Sequence, residues 1–294
     1  MPVRIDDPYA VPGEYRKAQL HCHTTESDGR IRPKDLLRMY KGAGYAFVVL
    51  TDHNRVTRCD DLNDAGFLAL PGSEDTVSYL LPPLGPHLGR LFVEGPTRTG
   101  TAQERIDVTV AAGGLASLCH PTWTGNLWTG TWPLTAATKM TAYQLIEIWN
   151  PHSDSARDSA LWHALLRTRG IQAPLWGVAV DDCHHARQFN RAWVMARVTD
   201  VSADALKRAL TRGAFYATTG VTADFRAEDG AIWARWEDLP GAVARYLDAA
   251  GAVRLEAASP EARYRVRGDE GFVRAEVIAP TGARAWSQPF RIIG

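Results

Sequence analysis

Residues 19–54 read QLHCHTTESDGRIRPKDLLRMYKGAGYAFVVLTDHN. Two histidines, His21 and His23, are separated by one cysteine and follow a short segment that we predict to be extended. Side chains two residues apart on a strand point to the same face. Both imidazoles can therefore reach one metal ion, whereas Cys22 points to the other face.

The rest of this stretch predicts a helix and a second strand. Pro33 suits the first turn of a helix, and Gly44 lies where that helix ends. The apolar run at 45–50 predicts a buried strand, and Asp52-His53 follows it almost directly. The stretch is therefore a strand–helix–strand unit with polar residues at the carboxyl ends of both strands. Enzymes built on parallel barrels have their active sites at those ends.

The same arrangement recurs further along the chain. Three more apolar runs predict short strands followed by residues that can bind metals: 67–70 before Glu74, 115–118 before His120, and 175–180 before Asp181-Asp182-Cys183-His184-His185. Residues 76–94 are rich in proline and glycine, and we predict a hairpin there with His87 near its turn. The sequence therefore predicts several potential ligands at one edge of a sheet.

These motifs, taken in order, resemble those of the polymerase and histidinol phosphatase (PHP) family of metal-dependent phosphoesterases. The segments that carry the resemblance are HCHTTESDG at 21–29, TDHN at 51–54, PGSE at 71–74, CHP at 119–121 and DDCH at 181–184. The resemblance covers roughly residues 15–220. It implies an α/β fold, a distorted (β/α)7 barrel, with two or three metal ions at the carboxyl ends of its strands.

The resemblance also implies a set of ligands. It assigns the first metal to His21, His23, Glu74 and Asp182, the second to Glu74, His87 and His120, and a third to Asp28, His53 and His184. Asp28 lies in Ser-Asp-Gly, which also fits a plain turn. The family's closing D-x-H motif fits Asp182 with His184, and it leaves Asp181 and His185 as residues that could orient ligands. Imidazole and carboxylate ligands together suit Mn, Fe or Zn.

The implied activity is that of a metal-dependent phosphoesterase. We expect a phosphomonoesterase that uses a metal-bridged hydroxide on a small-molecule or nucleotide phosphate, with Glu74, Asp182 and Arg191 as catalytic residues. Arg191 could hold a phosphate or form a surface salt bridge. Two alternatives stay open: another metallohydrolase, such as an amidohydrolase-like enzyme acting on an amide or lactone, and a noncatalytic metal-binding module.

A loop at 122–134, TWTGNLWTGTWPL, carries three tryptophans. Trp123, Trp128 and Trp132 could stack on a ring of the substrate, or they could pack against one another and fix the loop. The sequence leaves both interpretations open. It also leaves open the identity of the substrate and of the metal.

Composition limits the remaining possibilities. The formal net charge is zero, which argues against nonspecific binding to nucleic acid or membranes. The sequence predicts neither a signal peptide nor a membrane span. The four cysteines have no disulfide-like spacing, so we expect reduced thiols and a cytoplasmic protein.

The pattern changes after Gly220. Residues 1–16 predict a surface arm, and residues 1–220 predict the metal-binding barrel. Residues 221–294 predict a small antiparallel β domain with strands at 231–236, 262–266, 272–278 and 285–292. The role of that domain and the oligomeric state are not predicted.

Overall fold

A computed structural model describes residues 3–78, 84–97, 99–169, 174–237 and 239–293, and these form a mixed α/β fold. The first part of the chain contains, in order, β1 (Arg4–Asp6), β2 (Glu14–Gln19), α1 (Pro33–Gly42), β3 (Tyr45–Leu50), β4 (Leu68–Thr76), β5 (His87–Leu91), α2 (Ala102–Ala111), β6 (Leu115–Leu118), α3 (Leu134–Lys139), β7 (Leu145–Trp149), α4 (Ser155–Arg169), β8 (Trp176–Ala179), β9 (Trp193–Val198), α5 (Ala203–Arg212) and β10 (Phe215–Thr218). The rest is strand: β11 (Ala223–Glu228), β12 (Ala231–Trp236), β13 (Val243–Asp248), β14 (Val253–Ala257), β15 (Glu261–Arg265), β16 (Phe272–Ile278), β17 (Arg284–Trp286) and β18 (Phe290–Ile293).

The strand order brings the candidate ligands to one edge. Strands β2, β3 and β4 are parallel neighbours, and so are β6, β7 and β8. Strand β5 lies antiparallel between β4 and β6, and β9 is antiparallel to β2. The carboxyl ends of the two parallel groups therefore face the same side of the molecule. Whether these strands form a closed (β/α)7 barrel stays a prediction.

The helices pack on the outside of this sheet through local patterns that the sequence contains. Helix α1 begins with Pro33 and buries Leu36, Leu37 and Tyr40. These side chains lie three and four residues apart, the spacing of one helix face. Helix α5 is capped by Ser202, whose side chain accepts the N–H of Ala205. None of the described helices has the length and apolar character that a membrane crossing needs.

Strand β4 is longer than the predicted strand at 67–70. It pairs in parallel with β3 up to Pro71 and then antiparallel with β5 from Gly72 to Thr76. We had predicted Glu74 after the end of a strand, but it lies within β4. The Pro71-Gly72 pair resembles a turn signal, but here it lies where β4 changes its partner strand from β3 to β5. Gly72 also packs closely against β3, because a Cβ atom at this position would lie 2.7 Å from Val49 Cγ1. Strands β4 and β5 pair antiparallel within the predicted hairpin region, and residues 79–83 between them lie outside the described residues.

The strands after residue 220 continue the same sheet. Strand β17 pairs with β10, and β16 pairs with β17, β13 and β18. Strands β11, β12 and β15 form a separate three-stranded sheet. The sheet runs across residue 221 without a break. A separate C-terminal domain that begins there therefore stays a prediction.

The prediction of a surface arm at residues 1–16 is wrong. Strand β1 pairs with β18, and Tyr9 is buried, with its hydroxyl accepting the N–H of Gln288 at 2.7 Å. The arm prediction failed because these partners lie far away in the sequence, near the other end of the chain.

Candidate metal centre

The loops after β2 and β8 are joined at the carboxyl edge of the sheet. The N–H of His23 donates to the carbonyl of Cys183, and the N–H of Asp182 donates to the carbonyl of His21. Thr51, at the end of β3, donates its N–H to the carbonyl of Cys22. This backbone pairing continues beyond β2 as far as His23, so His21 and His23 do share one face. Cys22 is buried on the opposite side.

A first group of four donor atoms surrounds one point. The Nε2 atoms of His21 and His23 are 3.0 Å apart. Glu74 Oε2 lies 3.3 Å from His21 Nε2 and 3.1 Å from His23 Nε2. Asp182 Oδ1 lies 3.4 and 3.2 Å from the same two nitrogens. All four side chains are almost fully buried. These are the residues that the PHP resemblance assigns to a first metal.

A second group meets the other oxygen of Glu74. Glu74 Oε1 lies 3.0 Å from His87 Nδ1 and 2.9 Å from His120 Nε2. The Glu74 carboxylate therefore faces one set of imidazoles with each oxygen. His87 is the first residue of β5, directly opposite Thr76 of β4, and His120 follows β6.

A third group lies nearer the surface. Asp28 Oδ2 is 3.5 Å from His53 Nε2 and 3.4 Å from His184 Nε2. The side chain of Asp28 is 55% exposed and each histidine is 22% exposed. His53 also approaches the first group, with its Nδ1 3.2 Å from Glu74 Oε2. The structure thus brings all nine predicted ligands into one continuous cluster.

The geometry of these groups fits divalent ions. Two nitrogen or oxygen ligands bound at ordinary distances to one ion lie about 3.0–3.5 Å from each other. The distances within the three groups fall in or close to this range. In addition, Asp182 Oδ1 and His23 Nδ1 are buried without a hydrogen-bond partner. A buried carboxylate oxygen without a partner is costly unless a cation satisfies it.

The electrostatics point the same way. Burial alone would raise the pKa of Glu74, but neighbouring imidazoles, foremost His21, hold that pKa well below its usual range. Burial alone would likewise raise the pKa of Asp182, but His21 and His23 keep that pKa well below its usual value. Burial favours the neutral imidazole of His23, but the carboxylates of Asp182 and Glu74 raise its pKa to about 9. For His87 burial dominates and lowers the pKa. Both buried carboxylates are therefore ionised at neutral pH.

Glu147 is a functional residue that the sequence analysis missed. It is buried in β7 and lies 2.6 Å from His21 Nδ1. Its other oxygen accepts the N–H of His120 at 2.6 Å and the side-chain amide of Asn150 at 2.8 Å. Asn150 also donates to Asp182 Oδ2 at 3.1 Å. Such contacts orient metal ligands and fix the histidine tautomer. The available signal was an acidic residue inside the apolar run LIEIW.

Asp52 has a comparable role for the exposed group. Its carboxylate accepts the N–H and the hydroxyl of Thr24, both at 2.8 Å, and the hydroxyl of Ser27 at 2.6 Å. These bonds fix the turn that carries Asp28. The turn interpretation of Ser-Asp-Gly and the ligand interpretation of Asp28 are therefore compatible.

The structure distinguishes the two aspartates of the closing motif. Asp182 faces the cluster, as the chosen D-x-H frame required. Asp181 points away and accepts the N–H groups of Asn190, Arg191 and Ala192 as well as the Tyr40 hydroxyl. It holds the following loop and does not contact a ligand side chain among the contacts described.

Two of the candidate ligands have a positive φ, a backbone conformation that residues other than glycine rarely adopt. Asp182 has φ 43° and His120 has φ 25°. Left-handed backbone of this kind costs about 1–3 kcal/mol and is concentrated at functional sites.

The cluster forms the floor of an open cleft of about 470 Å³. Beyond seven of the candidate ligands, the cleft is lined by Asn54, Thr76, Trp123, His152, His185 and Gln188. The Nε2 atom of His152 lies 2.7 Å from the side-chain Nε2 of Gln188. His185 lines the cleft, and its ring accepts from Arg187 Nε. Arg191 is exposed and is not among the lining residues, so the structure does not bring its side chain to the cluster.

Comparison with known proteins supports the fold. No family model matches the chain, and no curated protein matches its sequence. A crystal structure of a two-domain protein from Bacteroides vulgatus, described as containing a predicted PHP-like metal-dependent phosphoesterase, is similar with a TM-score of 0.55 and 15% identity over 96% of this chain and 89% of that one. The predicted PHP resemblance is thereby confirmed at the level of the fold.

Two further solved structures match over a smaller part of the chain. One is a putative metal-dependent phosphoesterase from Bifidobacterium adolescentis, with a TM-score of 0.46 and 13% identity over 67% of this chain and 96% of that one. The other is PsfC from Pseudomonas syringae, with a TM-score of 0.48 and 14% identity over 67% of this chain and 87% of that one.

Proposed function

We propose that this chain is a metal-dependent phosphoesterase, and specifically a phosphomonoesterase that hydrolyses a small-molecule or nucleotide phosphate. The observation that carries the proposal is the position of Glu74. One of its oxygens faces His87 and His120, and the other faces His21 and His23. A single carboxylate between two sets of imidazoles is suited to bridge two cations.

The proposal assigns roles to the residues of the cluster. Divalent Mn, Fe or Zn ions, two or three in number, would supply Lewis-acid polarisation of a phosphoryl oxygen and activation of water when bound. Glu74 and Asp182 would hold the buried positions with the histidines of the first two groups. Asp28, His53 and His184 would hold a third cation at the surface. Glu147 and Asn150 keep His21 and Asp182 oriented.

The lining of the cleft bears on how a phosphate would be held. Among the described residues that line it, none is lysine or arginine. The negative charge of a phosphate would therefore be balanced by cations on the floor of the cleft. We accordingly assign Arg191 no contact with the phosphate. In this proposal residues 1–220 carry the reaction and residues 221–294 are an accessory β domain.

Phosphate release tests the proposal. The protein, purified without chelators, would be screened with nucleotides, sugar phosphates and amino-alcohol phosphates as isolated, after chelation, and after re-addition of Mn, Fe or Zn. We expect release that is lost on chelation and restored by one metal. Glu74→Gln should abolish it, whereas Glu276→Gln, which changes a buried glutamate of β16, should not.

Three outcomes would contradict the proposal. Turnover that survives Glu74→Gln or Glu74→Ala would exclude the bridging role. Hydrolysis of amides or lactones by the metal-loaded protein, without release from any phosphoester, would replace the phosphoesterase with an amidohydrolase-like activity. Metal binding without any turnover would indicate a noncatalytic module.

A further inference from the structure

One wall of the cleft differs chemically from the rest. The floor is imidazole and carboxylate, and Asn54, Thr76 and Gln188 add amide and hydroxyl groups. Among the described lining residues, Trp123 supplies the one large apolar surface. A phosphoester bound to the floor must direct its alcohol part toward one of these walls.

The indole of Trp123 lies close to where the phosphate would bind. Its ring centroid is 5.0 Å from that of His87 and 4.8 Å from that of His120. These two histidines form the second donor group with Glu74. Because these two imidazoles border the floor of the cleft, we expect a ring joined to the ester oxygen directly, or through one carbon, to reach the indole.

Two glycines fix the position of this indole. A Cβ atom at Gly130 would lie 2.6 Å from Trp123 Cε3, and one at Gly125 would lie 2.8 Å from Trp123 Cζ3. The backbone of the loop thus packs directly against the six-membered ring. The N–H of Gly130 donates to the carbonyl of Thr124 at 2.8 Å and closes the loop around it. Trp123 is consequently held in place before any ligand arrives.

The other two tryptophans of the loop have different surroundings. Trp132 is buried, and its Nε1 donates to the carbonyl of His87 at 2.9 Å. Trp128 is 80% exposed at the tip of the loop. The two interpretations that the sequence left open therefore apply to different residues: Trp132 fixes the loop, and Trp123 faces the cleft.

We propose that Trp123 is a specificity-determining residue that selects phosphoesters whose alcohol carries a planar ring next to the ester oxygen. This inference rests on the proposed phosphoesterase function and narrows its substrate class. The physical basis is that aromatic rings prefer offset or edge-to-face contact with one another, which adds to the gain from burying apolar area. Gly125 and Gly130 act as positioning residues because they hold the indole.

Binding of phosphonates, which are not hydrolysed, tests the inference separately from turnover. Calorimetry on the Mn-loaded protein would compare benzylphosphonate, (cyclohexylmethyl)phosphonate and methylphosphonate. In the first two compounds a CH2 group takes the place of the ester oxygen, and the cyclohexyl compound has a similar apolar area without a planar ring. We expect benzylphosphonate to bind about three- to tenfold more tightly than (cyclohexylmethyl)phosphonate. Trp123→Leu should reduce this ratio to near one and leave the affinity for methylphosphonate unchanged.

Matched variants separate the indole from the loop. Trp128→Leu changes the exposed tryptophan of the same loop and should keep the wild-type ratio. Gly130→Ala should lower the ratio as Trp123→Leu does, because its methyl group displaces the indole. Gly42→Ala, where a Cβ atom would meet nothing within 4 Å, controls for the glycine change itself.

The outcomes distinguish this inference from the function on which it rests. An equal preference for benzylphosphonate in the wild type and in Trp123→Leu would overturn the inference, and so would the absence of benzylphosphonate binding. The phosphoesterase proposal would survive either result if phosphate release is observed. Conversely, a ring preference that Trp123→Leu removes would support the subsite even if no phosphoester were hydrolysed.

Discussion

The substitution Glu147→Gln tests whether the cluster binds metal through correctly oriented histidines. Glu147 is 2% exposed and meets three donors: His21 Nδ1 on one oxygen, and the groups of His120 and Asn150 on the other. A carboxylate only accepts hydrogen bonds. The His21 proton therefore lies on Nδ1, and Nε2 is left free to bind a cation.

Glutamine cannot reproduce this arrangement, although it has the same shape. If its carbonyl oxygen faces His120 and Asn150, its amide group faces His21 Nδ1 and favours the tautomer with Nε2 protonated. If the amide is reversed, its N–H groups oppose the two buried donors. Either orientation loses a contact that a carboxylate provides.

The magnitude follows from the contact that is lost. A hydrogen bond to a charged group contributes about 1.5–3 kcal/mol, and 1.4 kcal/mol is about tenfold in Kd. We therefore expect metal affinity to weaken by about 10- to 100-fold, which is also the usual effect of removing a residue that orients a ligand. A competition titration against a chromophoric chelator measures it directly.

Glu270→Gln is the matched control. Glu270 is also 2% exposed and also accepts three hydrogen bonds, from the Tyr264 hydroxyl and the N–H groups of Arg267 and Gly268. It lies among the C-terminal strands and contacts no candidate ligand. We expect this variant to lose stability but to keep its metal affinity. Equal metal affinities for Glu147→Gln and the wild type would refute the reasoning.

Three further predictions concern stability. Asp75→Ala should lower the free energy of unfolding by about 3–5 kcal/mol, measured by urea denaturation, because Asp75 is the buried partner of Arg90 and Arg105; a loss below 1 kcal/mol would contradict this. Burial raises the pKa of Asp158 to about 6, so its carboxyl favours the folded state at low pH and loses that contribution as the pH rises from about 4 through 6. The stability of Asp158→Asn relative to that of the wild type should therefore rise by up to about 3 kcal/mol from pH 4 to pH 7. Parallel profiles of stability against pH for the two proteins would show that the pKa of Asp158 is not raised. Finally, Mn²⁺ at about 1,000 times its Kd should stabilise the chain by about 4 kcal/mol for each site, seen as a rise in Tm that a chelator reverses; an unchanged Tm would mean that the cluster does not hold the ion.

Local patterns predicted many of the elements correctly. Strand β3 has the predicted bounds. Asp182 and His184 both face the cluster, as alternate residues at a strand end are expected to do, and their role as metal ligands stays a prediction. In each case the deciding information lies within a few residues of sequence.

Elements with weak local signals were missed. Strand β13 reads VARYLD and buries Ala244, Tyr246 and Asp248. An alanine and an aspartate contribute little to a hydrophobic alternation, so the strand is defined mainly by its pairing with β14 and β16. Strands β11 and β14 were missed as well. Pairing partners of this kind are decided by the fold and not by local propensity.

The sequence by itself determined the order of the candidate metal-binding motifs and the strand–helix–strand unit at 19–54, and its resemblance to the PHP family implied the nine candidate ligands. It could do so because residue type, strand period and the spacing of short motifs are local properties. Only the tertiary structure decided that each oxygen of Glu74 faces a different set of imidazoles, that Glu147 orients His21, and that Trp123 rather than Trp128 or Trp132 faces the cleft. These depend on contacts between residues far apart in the chain, and such contacts are fixed only when the strands pair and the loops close over them.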